Sequence, residues 1–318
     1  MIDVVTIGET MAVFDGNPGT KLRYANTFEC HTGGAETNTA VALVRLGHTA
    51  GWISRLGKDE FGLRIRNQIR GEGVDVSKVE MCEDFPTGIF FRQRMSNGES
   101  QNFYYRKGSA ASTMKPEQLD REYIRRAKWL FVSGITPAIS EDAARTVKRA
   151  MEMAKEEGVL VAFDPNLRLK LWTLEQARQT IGELMPYVDL ALPGIEEGEL
   201  LYGVSHTDAI AERIQSCKVK NVIVKTGSRG CVGYFGTTKA EGNGFPVEHV
   251  VDAFGAGDGF AAGILAGMLE DLPHEKILQL GNAVGALTVM IKGNIEAYPS
   301  REAVEHYMNA KDQGEILR

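Results

Sequence analysis

Between residues 129 and 225 the sequence alternates between two hydrophobic patterns, and this alternation restricts the folds that the chain can adopt. Short apolar runs typical of buried strands are separated by amphipathic stretches typical of helices. The apolar runs span 129–133, 159–163, 188–192 and 221–225. Strands connected in this way lie parallel in one sheet, with right-handed connections and helices on both faces. The sequence therefore predicts an α/β fold of three layers around a central, mostly parallel sheet.

Polar clusters follow these predicted strands at one edge of the sheet. They span 164–168, 193–197, 225–230 and, further along the chain, 252–258. Ligands in open α/β sheets bind outside the carboxyl ends of the strands. A single cluster would indicate only a capped turn, whereas four clusters on one rim favour a binding site.

After residue 225 the patterns predict edge strands at 231–234 and 245–251, and mostly helix from 256 to 308. The helix follows a glycine-rich stretch, Asp252-Ala253-Phe254-Gly255-Ala256-Gly257-Asp258. Glycines let the backbone approach a ligand closely, and the free amides at a helix start bind anions. Asp258 would lie against that anion, which suits a base that takes the proton from a nucleophile attacking phosphorus. The alternative is an aspartate that only caps the helix.

Residues 76–106 do not follow the alternation of strand and helix. Strand patterns at 76–82, 87–95 and 100–106 follow one another directly, with the hairpin signal Asn97-Gly98 between the last two. These patterns predict a small antiparallel sheet that projects from the main body. Its aromatic residues are Phe90, Phe91, Phe103, Tyr104 and Tyr105. Cross-strand packing alone also accounts for some of these rings.

A second glycine pair precedes a predicted helix, in Gly33-Gly34-Ala35-Glu36-Thr37-Asn38-Thr39-Ala40. The two glycine stretches match Gly-Gly-x-x-x-Asn-x-Ala and Asp-Ala-x-Gly-Ala-Gly-Asp, so the chain resembles the ribokinase-like (PfkB-type) carbohydrate kinases. The resemblance extends from Gly8 to about Ala297. It implies a ribokinase-like three-layer sandwich, with residues 1–318 as one kinase domain. It also implies a β-sheet lid over the sugar site, formed mainly by residues 11–32 and 76–108.

The resemblance implies that ATP and Mg²⁺ serve phosphoryl transfer to a sugar hydroxyl. Asp258 is then the base, and the amides of Gly255, Ala256 and Gly257 stabilise charge that develops on the transferred group. The residues expected to contact the nucleotide, besides these three, are Asn166, Arg168, Lys225, Thr226, Gly227, Gly230 and Asn282. There is no Gly-x-x-x-x-Gly-Lys-[Ser/Thr] motif, so the chain is not a P-loop enzyme.

Glu197 is expected to hold Mg²⁺ through water, together with Asn166, because Mg²⁺ keeps much of its hydration shell. The resembled family usually has Asn-x-x-Glu at this point, whereas this chain has Gly194 at the Asn position. The replacement of Asn by Gly194 removes a side chain that would contribute to the water network around Mg²⁺ in the resembled family. A monovalent cation such as K⁺ is a further candidate cofactor.

The sugar site in this resemblance includes Gly33, Gly34 and Asn38, which bind sugar hydroxyls. Stretches 104–111 and 164–172 resemble those of 2-keto-3-deoxygluconate kinases, and each contains an arginine. The predicted substrate contacts, besides Asp258, are Arg106 and Arg168 on the carboxylate, Tyr104 through its hydroxyl and ring, and Phe90 as a lid wall. Two guanidinium groups suit a carboxylate because each can form two parallel hydrogen bonds. Alternatively both arginines are surface residues or phosphate contacts, which would suit a neutral sugar such as fructose.

The expected reaction transfers the γ-phosphoryl group of ATP to the 6-hydroxyl of 2-keto-3-deoxygluconate. The products are 2-keto-3-deoxy-6-phosphogluconate and ADP. The alternatives are a fructokinase, another kinase for a ketose or deoxy-sugar acid, and a sugar sensor that has lost catalysis. An assay over a panel of sugars separates these functions.

Composition narrows the remaining possibilities. The formal net charge of −6 argues against a nucleic-acid partner. The longest apolar runs, such as 260–269, are too short to span a membrane, and no basic segment precedes the first apolar run as in a signal peptide. The four cysteines are scattered without a Cys-x-x-Cys pair, as expected for reduced thiols in the cytoplasm. We further expect a homo-oligomer formed through the lid sheet.

Overall fold

The computed structural model describes residues 1–95 and 100–312, so the predicted hairpin turn at Asn97-Gly98 lies outside the described residues. The strands are β1 Ile2–Ile7, β2 Met11–Gly16, β3 Phe28–Gly33, β4 Ala50–Gly57, β5 Asp75–Cys82, β6 Ile89–Arg94, β7 Ser100–Tyr105, β8 Ala127–Ser133, β9 Leu160–Asp164, β10 Leu190–Ala191, β11 Asn221–Lys225, β12 Gly230–Phe235 and β13 Thr238–Asn243. The α-helices are α1 Ala35–Arg45, α2 Glu60–Gly71, α3 Arg121–Arg125, α4 Glu141–Glu156, α5 Leu174–Leu184, α6 Ile195–Tyr202, α7 Thr207–Gln215, α8 Ala256–Leu269, α9 His274–Thr288 and α10 Arg301–Asp312.

A nine-stranded sheet in the order β13-β12-β11-β10-β9-β8-β1-β4-β5 forms the centre of the fold. Its strands pair in parallel from β5 to β11, and β12 and β13 add an antiparallel edge. Successive side chains of a strand point to opposite faces. Val4 accordingly packs in the core layer that contains α8 and α9, and Val5 packs in the layer that contains α4 and α5. The predicted α/β class with a mostly parallel sheet is confirmed.

A smaller sheet has the strand order β3-β2-β6-β7. The prediction that 76–82 belongs to this sheet was wrong, because β5 pairs in parallel with β4 at the edge of the large sheet. The physical reason is the preceding helix: β4, α2 and β5 form a crossover unit that places β5 beside β4. Val79 of β5 is buried in the main core as a result.

The C-terminal edge strands differ in part from the prediction. Strand β12 lies where 231–234 predicted it, but 245–251 contains no strand. The second edge strand is β13, which follows β12 after a turn at Gly236, a residue with φ +61°. Phe245 instead packs against Tyr307, with ring centroids 5.1 Å apart.

Glycines let α8 and α9 pack closely below the carboxyl ends of the strands. A Cβ atom on Gly263 of α8 would lie only 2.8 Å from Gly281 Cα of α9. The small residues of α8 therefore allow a close contact with α9. No helix in the described ranges combines the length and apolar character needed to cross a bilayer.

Candidate active site

A large cavity lies between the small sheet and the carboxyl ends of the parallel strands. Its volume is about 1380 Å³, more than the roughly 300–1,000 Å³ usual for one small-molecule ligand. From the sequence-predicted set, the residues that line it are Gly33, Gly34, Asn38, Phe90, Tyr104, Arg106, Asn166, Arg168, Lys225, Gly255, Gly257 and Asp258. The cavity therefore has room for a sugar and part of a second ligand. Because the small sheet covers it, we call that sheet the lid.

The first turn of α8 lies at the cavity wall. Gly255 precedes the helix with φ +80°, and a Cβ atom there would lie 2.6 Å from Tyr298 Oη. Both the left-handed backbone and the close tyrosine require glycine at this position. Ala256 N donates to Ala253 O at 3.5 Å, but the amides of Gly257 and Asp258 have no acceptor among the described residues and are available to an anion in the cavity. Ala256 belongs to this turn through its backbone.

Asp258 lies in the same turn and is 9% exposed. Burial raises the pKa of this carboxyl to about 7, with the charge of Asp164 acting in the same direction. The hydrogen bond from Asn38 and the positive charges of Arg168 and Lys225 oppose that rise. A carboxylate with a pKa near neutrality suits a general base, because it can both accept and release a proton.

Arg106 follows β7 and is paired with a carboxylate of the chain itself. Its Nε donates to Glu9 Oε2 at 2.7 Å, and Ser109 Oγ also contacts Glu9. Glu9 is 3% exposed, so the pair is buried at the cavity wall. The charge of Arg106 is therefore compensated before any ligand binds.

Arg168, by contrast, is exposed at the cavity rim. Its guanidinium has no hydrogen bond or ion pair with any residue in the described ranges. It is therefore available to an anionic ligand, and its charge already acts on Asp258.

The inner face of the lid is apolar around Phe90, whereas Arg92 and Arg94 lie further along the same face. Phe90 is 1% exposed and packs with Met11 and Val13. Its ring centroid lies 5.2 Å from that of Tyr104 and 6.0 Å from that of Phe254. These rings form an aromatic wall on the lid side of the cavity.

Lys225, at the end of β11, is paired with Asp164 at the end of β9. Its Nζ lies 2.7 and 2.9 Å from the two carboxylate oxygens. Burial disfavours its ammonium, but the charges of Asp164 and Glu197 outweigh burial and raise the pKa of Lys225. Lys225 is therefore a fixed positive charge at the cavity.

The residues expected to contact the nucleotide or to bind Mg²⁺ that do not line the cavity are six: Glu197, Thr226, Gly227, Gly230, Ala256 and Asn282. Thr226 Oγ1 donates to Gly230 O at 2.9 Å, which closes the loop that contains Gly227. Asn282 Nδ2 donates to Gly242 O at 2.9 Å, so this amide ties α9 to β13. The loop closed by Thr226 and Gly230 begins directly after Lys225, and Lys225 does line the cavity.

Glu197, the predicted Mg²⁺ residue, accepts amides from Leu167 and Gly194 at 2.8 and 2.7 Å. Within residues 1–95 and 100–312, no group of three or more His, Cys, Asp or Glu could hold a metal ion by itself. Mg²⁺ needs fewer protein ligands, since it keeps waters and binds one or two carboxylates with phosphate oxygens. Each Glu197 oxygen already accepts one amide and Glu197 does not line the cavity, whereas Asn166 does, so the Mg²⁺ role of this pair stays a prediction. A Cβ atom at Gly194 would approach no atom closer than 3.4 Å, so glycine is not required there.

Sequence reasoning does not identify several charged residues of the site. Glu9 follows β1 directly, and the rule that polar residues at carboxyl ends form sites could have found it. Arg92 and Arg94 lie two positions apart on β6, but their partner Asp15 is 77 positions from Arg92. No local pattern reveals such a pair. Glu36, buried within the first glycine motif, carries no signal that separates it from a surface residue.

Comparisons with known proteins agree on one family. Residues 1–301 match the family described as pfkB family carbohydrate kinase. A 2-dehydro-3-deoxygluconokinase from Bacillus subtilis (strain 168) is 39% identical over 98% of this chain and 96% of its own length. A probable chloroplastic fructokinase-6 from Arabidopsis thaliana is 33% identical over 95% of this chain and 81% of its own. The crystal structure of a putative ribokinase II from E. coli, in complex with ATP and Mg²⁺, superposes with a TM-score of 0.91 at 25% identity, covering 97% of this chain and 99% of that one.

Proposed function

The chain belongs to the pfkB family of carbohydrate kinases, and on that premise we propose that it phosphorylates 2-dehydro-3-deoxygluconate, also called 2-keto-3-deoxygluconate. The γ-phosphoryl group of ATP moves to the 6-hydroxyl, the end of the sugar acid remote from its carboxylate. The observation that carries this proposal is the guanidinium of Arg168, which has no partner among the described residues and lies at the rim of the cavity that also contains Asp258. The Bacillus subtilis relative, named for this substrate, supports the same choice.

The residues of the site divide the chemistry between them. Asp258 takes the proton of the sugar 6-hydroxyl while the oxygen of that hydroxyl attacks the γ-phosphorus. The bond between the γ-phosphorus and the oxygen that bridges it to the β-phosphate breaks, and ADP leaves. The amides of the turn at Gly255–Gly257 receive the negative charge on the transferred group. Lys225 adds a fixed positive charge on the nucleotide side. Mg²⁺, held near Glu197 and Asn166, would neutralise phosphate charge when bound.

Two arginines contribute differently to substrate binding in this proposal. Arg168 pairs with the substrate carboxylate, whereas Arg106 is already held by Glu9 and donates its remaining N–H groups. Phe90 and Tyr104 pack on the apolar part of the sugar. Gly33 and Gly34 line the cavity and offer their backbone to its hydroxyls.

A fructokinase is the second candidate function. The pairing of Arg106 with Glu9 leaves less free positive charge than two open guanidinium groups would supply. The fructokinase relative gives this alternative independent support.

The test is an ADP-release assay of the purified protein on 2-dehydro-3-deoxygluconate, 2-dehydro-3-deoxygalactonate, fructose and gluconate. We expect kcat/KM for 2-dehydro-3-deoxygluconate to exceed that for fructose by about 100-fold, from charge-assisted hydrogen bonds to Arg168. Arg168→Gln should lower kcat/KM for the sugar acid by about 10–100-fold and for fructose by less than about threefold. The exposed Arg178→Gln is the matched control.

Equal rates on fructose and on the sugar acid would contradict the substrate proposal. An absence of ADP release with every sugar, together with measurable sugar binding, would indicate a sensor. Repeating the assay with NaCl in place of KCl tests for a monovalent cation.

We further propose that the outer face of the lid joins two copies of the chain. Phe28, Phe103 and Tyr105 are 37%, 39% and 65% exposed on this face. Phe28 and Tyr105 each contact the ring of Phe91, so the exposed rings are continuous. Light scattering should give a dimer mass for the wild type and a monomer mass for Phe103→Glu/Tyr105→Glu. An unchanged mass in that variant would place the interface elsewhere.

A further inference from the structure

Four charged side chains form a buried network between the lid and the loop before α8. Asp15 on β2 and Arg92 on β6 are register neighbours, and Arg92 Nε and Nη2 both contact the Asp15 carboxylate. Arg92 Nη1 lies 2.9 Å from Asp252 Oδ2. Arg94 Nη2 lies 3.0 Å from Asp15 Oδ2 and also contacts Asp252 Oδ2. Two positive and two negative charges therefore balance within one cluster.

The network is shielded from water and divided between two parts of the fold. The exposed fractions are 1% for the side chains of Asp15 and Arg92, 7% for Asp252 and 13% for Arg94. Buried charges are costly unless they are paired. Asp15, Arg92 and Arg94 belong to the lid, and Asp252 belongs to the body. Moving the lid away would leave a carboxylate without its partners and excess positive charge on the lid.

Asp252 also shapes the loop that leads to the first turn of α8. Its Oδ1 accepts the amide of Phe254 at 3.2 Å, and its own amide donates to Val289 O at 3.1 Å. The guanidinium carbon of Arg92 lies 5.2 Å from the ring centroid of Phe254. Gly255 comes next in the chain. The lid arginines therefore contact two of the three residues that precede the turn at Gly255–Gly257.

We propose that Arg92 and Arg94 are positioning residues for phosphoryl transfer. With the lid over the sugar, they hold Asp252 and Phe254 so that the amides of the turn at Gly255–Gly257 face the transferred group. The inference rests on the role proposed above for that turn. It adds that the turn is completed by lid closure, which favours transfer to a sugar hydroxyl over transfer to water.

The test compares Arg94→Lys, which keeps the charge but loses the planar fork, with the wild type. We expect kcat to fall about 10-fold or more, because the turn is misplaced. Arg92, Arg94 and Asp252 line the cavity but bond to one another. The KM values for sugar and ATP should therefore change less than about threefold if the network acts by positioning the turn. Hydrogen exchange of the amides in 252–258 gives a second measurement. Saturating sugar should slow this exchange in the wild type and much less in Arg94→Lys.

A double-mutant cycle and a matched control separate positioning from general destabilisation. Asp252→Asn alone should lower kcat. Added to Arg94→Lys, it should lower kcat hardly further, because both changes break the same contact. Arg64→Met is the control: Arg64 Nη2 donates to the lid at Cys30 O, 2.9 Å away, and not at Asp252. It should leave kcat and the sugar-dependent exchange unchanged.

Wild-type kcat in Arg94→Lys, with normal sugar-dependent exchange, would overturn the inference. A lowered melting temperature with full kcat per folded molecule would overturn it too, because the network would then serve stability alone. All assays use the sugar with the highest rate in the panel. A wild type that prefers fructose thus refutes the substrate proposal while this inference is still tested.

Discussion

Asn38 Nδ2 donates a 2.8 Å hydrogen bond to Asp258 Oδ2, which joins residues 220 positions apart in the sequence. Both side chains are buried, and each belongs to one of the two glycine motifs. The bond occupies one oxygen of the carboxylate and leaves the other for a ligand. Asn38 was predicted to bind a sugar hydroxyl. In the structure the side-chain nitrogen of Asn38 instead donates to Asp258, while Asn38 Oδ1 has no hydrogen-bond partner among the described residues.

Replacing the proposed base should stop the reaction without removing the sugar site. Asp258→Asn is expected to lower kcat by about 10²–10⁴-fold, the usual contribution of a general base. The dissociation constant of the sugar, measured by calorimetry, should change little. Asp208→Asn, in an exposed residue paired with Lys239, is the control. Normal turnover in Asp258→Asn would show that another group takes the proton.

The Asn38 bond gives a prediction for the pH dependence of the rate. Burial raises the pKa of Asp258 to about 7, and the bond from Asn38 opposes that rise. Wild-type kcat/KM should therefore increase with pH up to about 7 and then level off, because only the carboxylate accepts a proton. Asn38→Ala removes the opposing bond and should move this limb to higher pH. A limb at the same pH in both proteins would mean that Asp258 does not control it. The exposed Asn67→Ala is the control.

The sequence predicts the parallel body well because its signals are local. Strand β11 has the predicted bounds, and α8 begins at Ala256, where the predicted helical segment begins. The placement of β5 depends on a pairing with β4, and strand propensity alone does not specify the sheet to which it belongs. The glycine motif at 252–258 likewise locates the turn that contains Asp258, because the whole motif is one continuous stretch of sequence.

The electrostatics of the site cannot be predicted in this way. Whether Arg106 is free depends on Glu9, which is 97 positions away. Whether Arg92 is buried at all depends on Asp15 and Asp252, from two other parts of the chain. Long-range ion pairs leave no periodic signal, so the sequence identifies Arg106 but not its partner Glu9, and it identifies neither Arg92 nor the partners of Arg92.

A second contact between lid and body involves His31 on β3. Its Nδ1 lies 3.0 Å from Glu296 Oε1 and its Nε2 3.4 Å from Glu29 Oε2. The hydrogen bond with Glu296 raises the pKa of His31 above its usual 6.5 and outweighs the opposing effect of burial. Because the folded state binds this proton more tightly, the stabilisation is fully present below pH 6.5. It is lost as the pH rises through the folded-state pKa.

His31→Gln should therefore be less stable than the wild type at pH 6, by about 1 kcal/mol or less. The difference should shrink by pH 9. Urea unfolding at the two pH values measures it. The exposed His249→Gln should show no such trend, and a pH-independent difference for His31→Gln would contradict the role of its charge.

Glu36 is the buried acid whose role in the site is least obvious. It is 1% exposed, and its Oε1 accepts the hydroxyl of Thr136, while Oε2 has no hydrogen-bond partner among the described residues. A Cβ atom at Gly8 would lie within 2.5 Å of both oxygens. Burial raises the pKa of Glu36 to about 8, with Asp258 acting in the same direction, against the bond from Thr136 and the charge of Arg106. The side chain is therefore a neutral acid at pH 7.

Glu36→Gln should stabilise the protein at high pH and not at low pH. Folding raises the pKa of Glu36 from 4.5 to about 8, so the folded state holds the proton that the unfolded state releases. The stability of the wild type then falls as the pH rises through this window, because ionising Glu36 in the folded state costs free energy. Glutamine has no proton to lose. Its melting temperature should match that of the wild type near pH 5 and exceed it by several degrees at pH 8.5, as scanning calorimetry would measure. The exposed Glu117→Gln controls for the loss of one charge. Equal differences at both pH values would mean that Glu36 is already ionised in the folded protein.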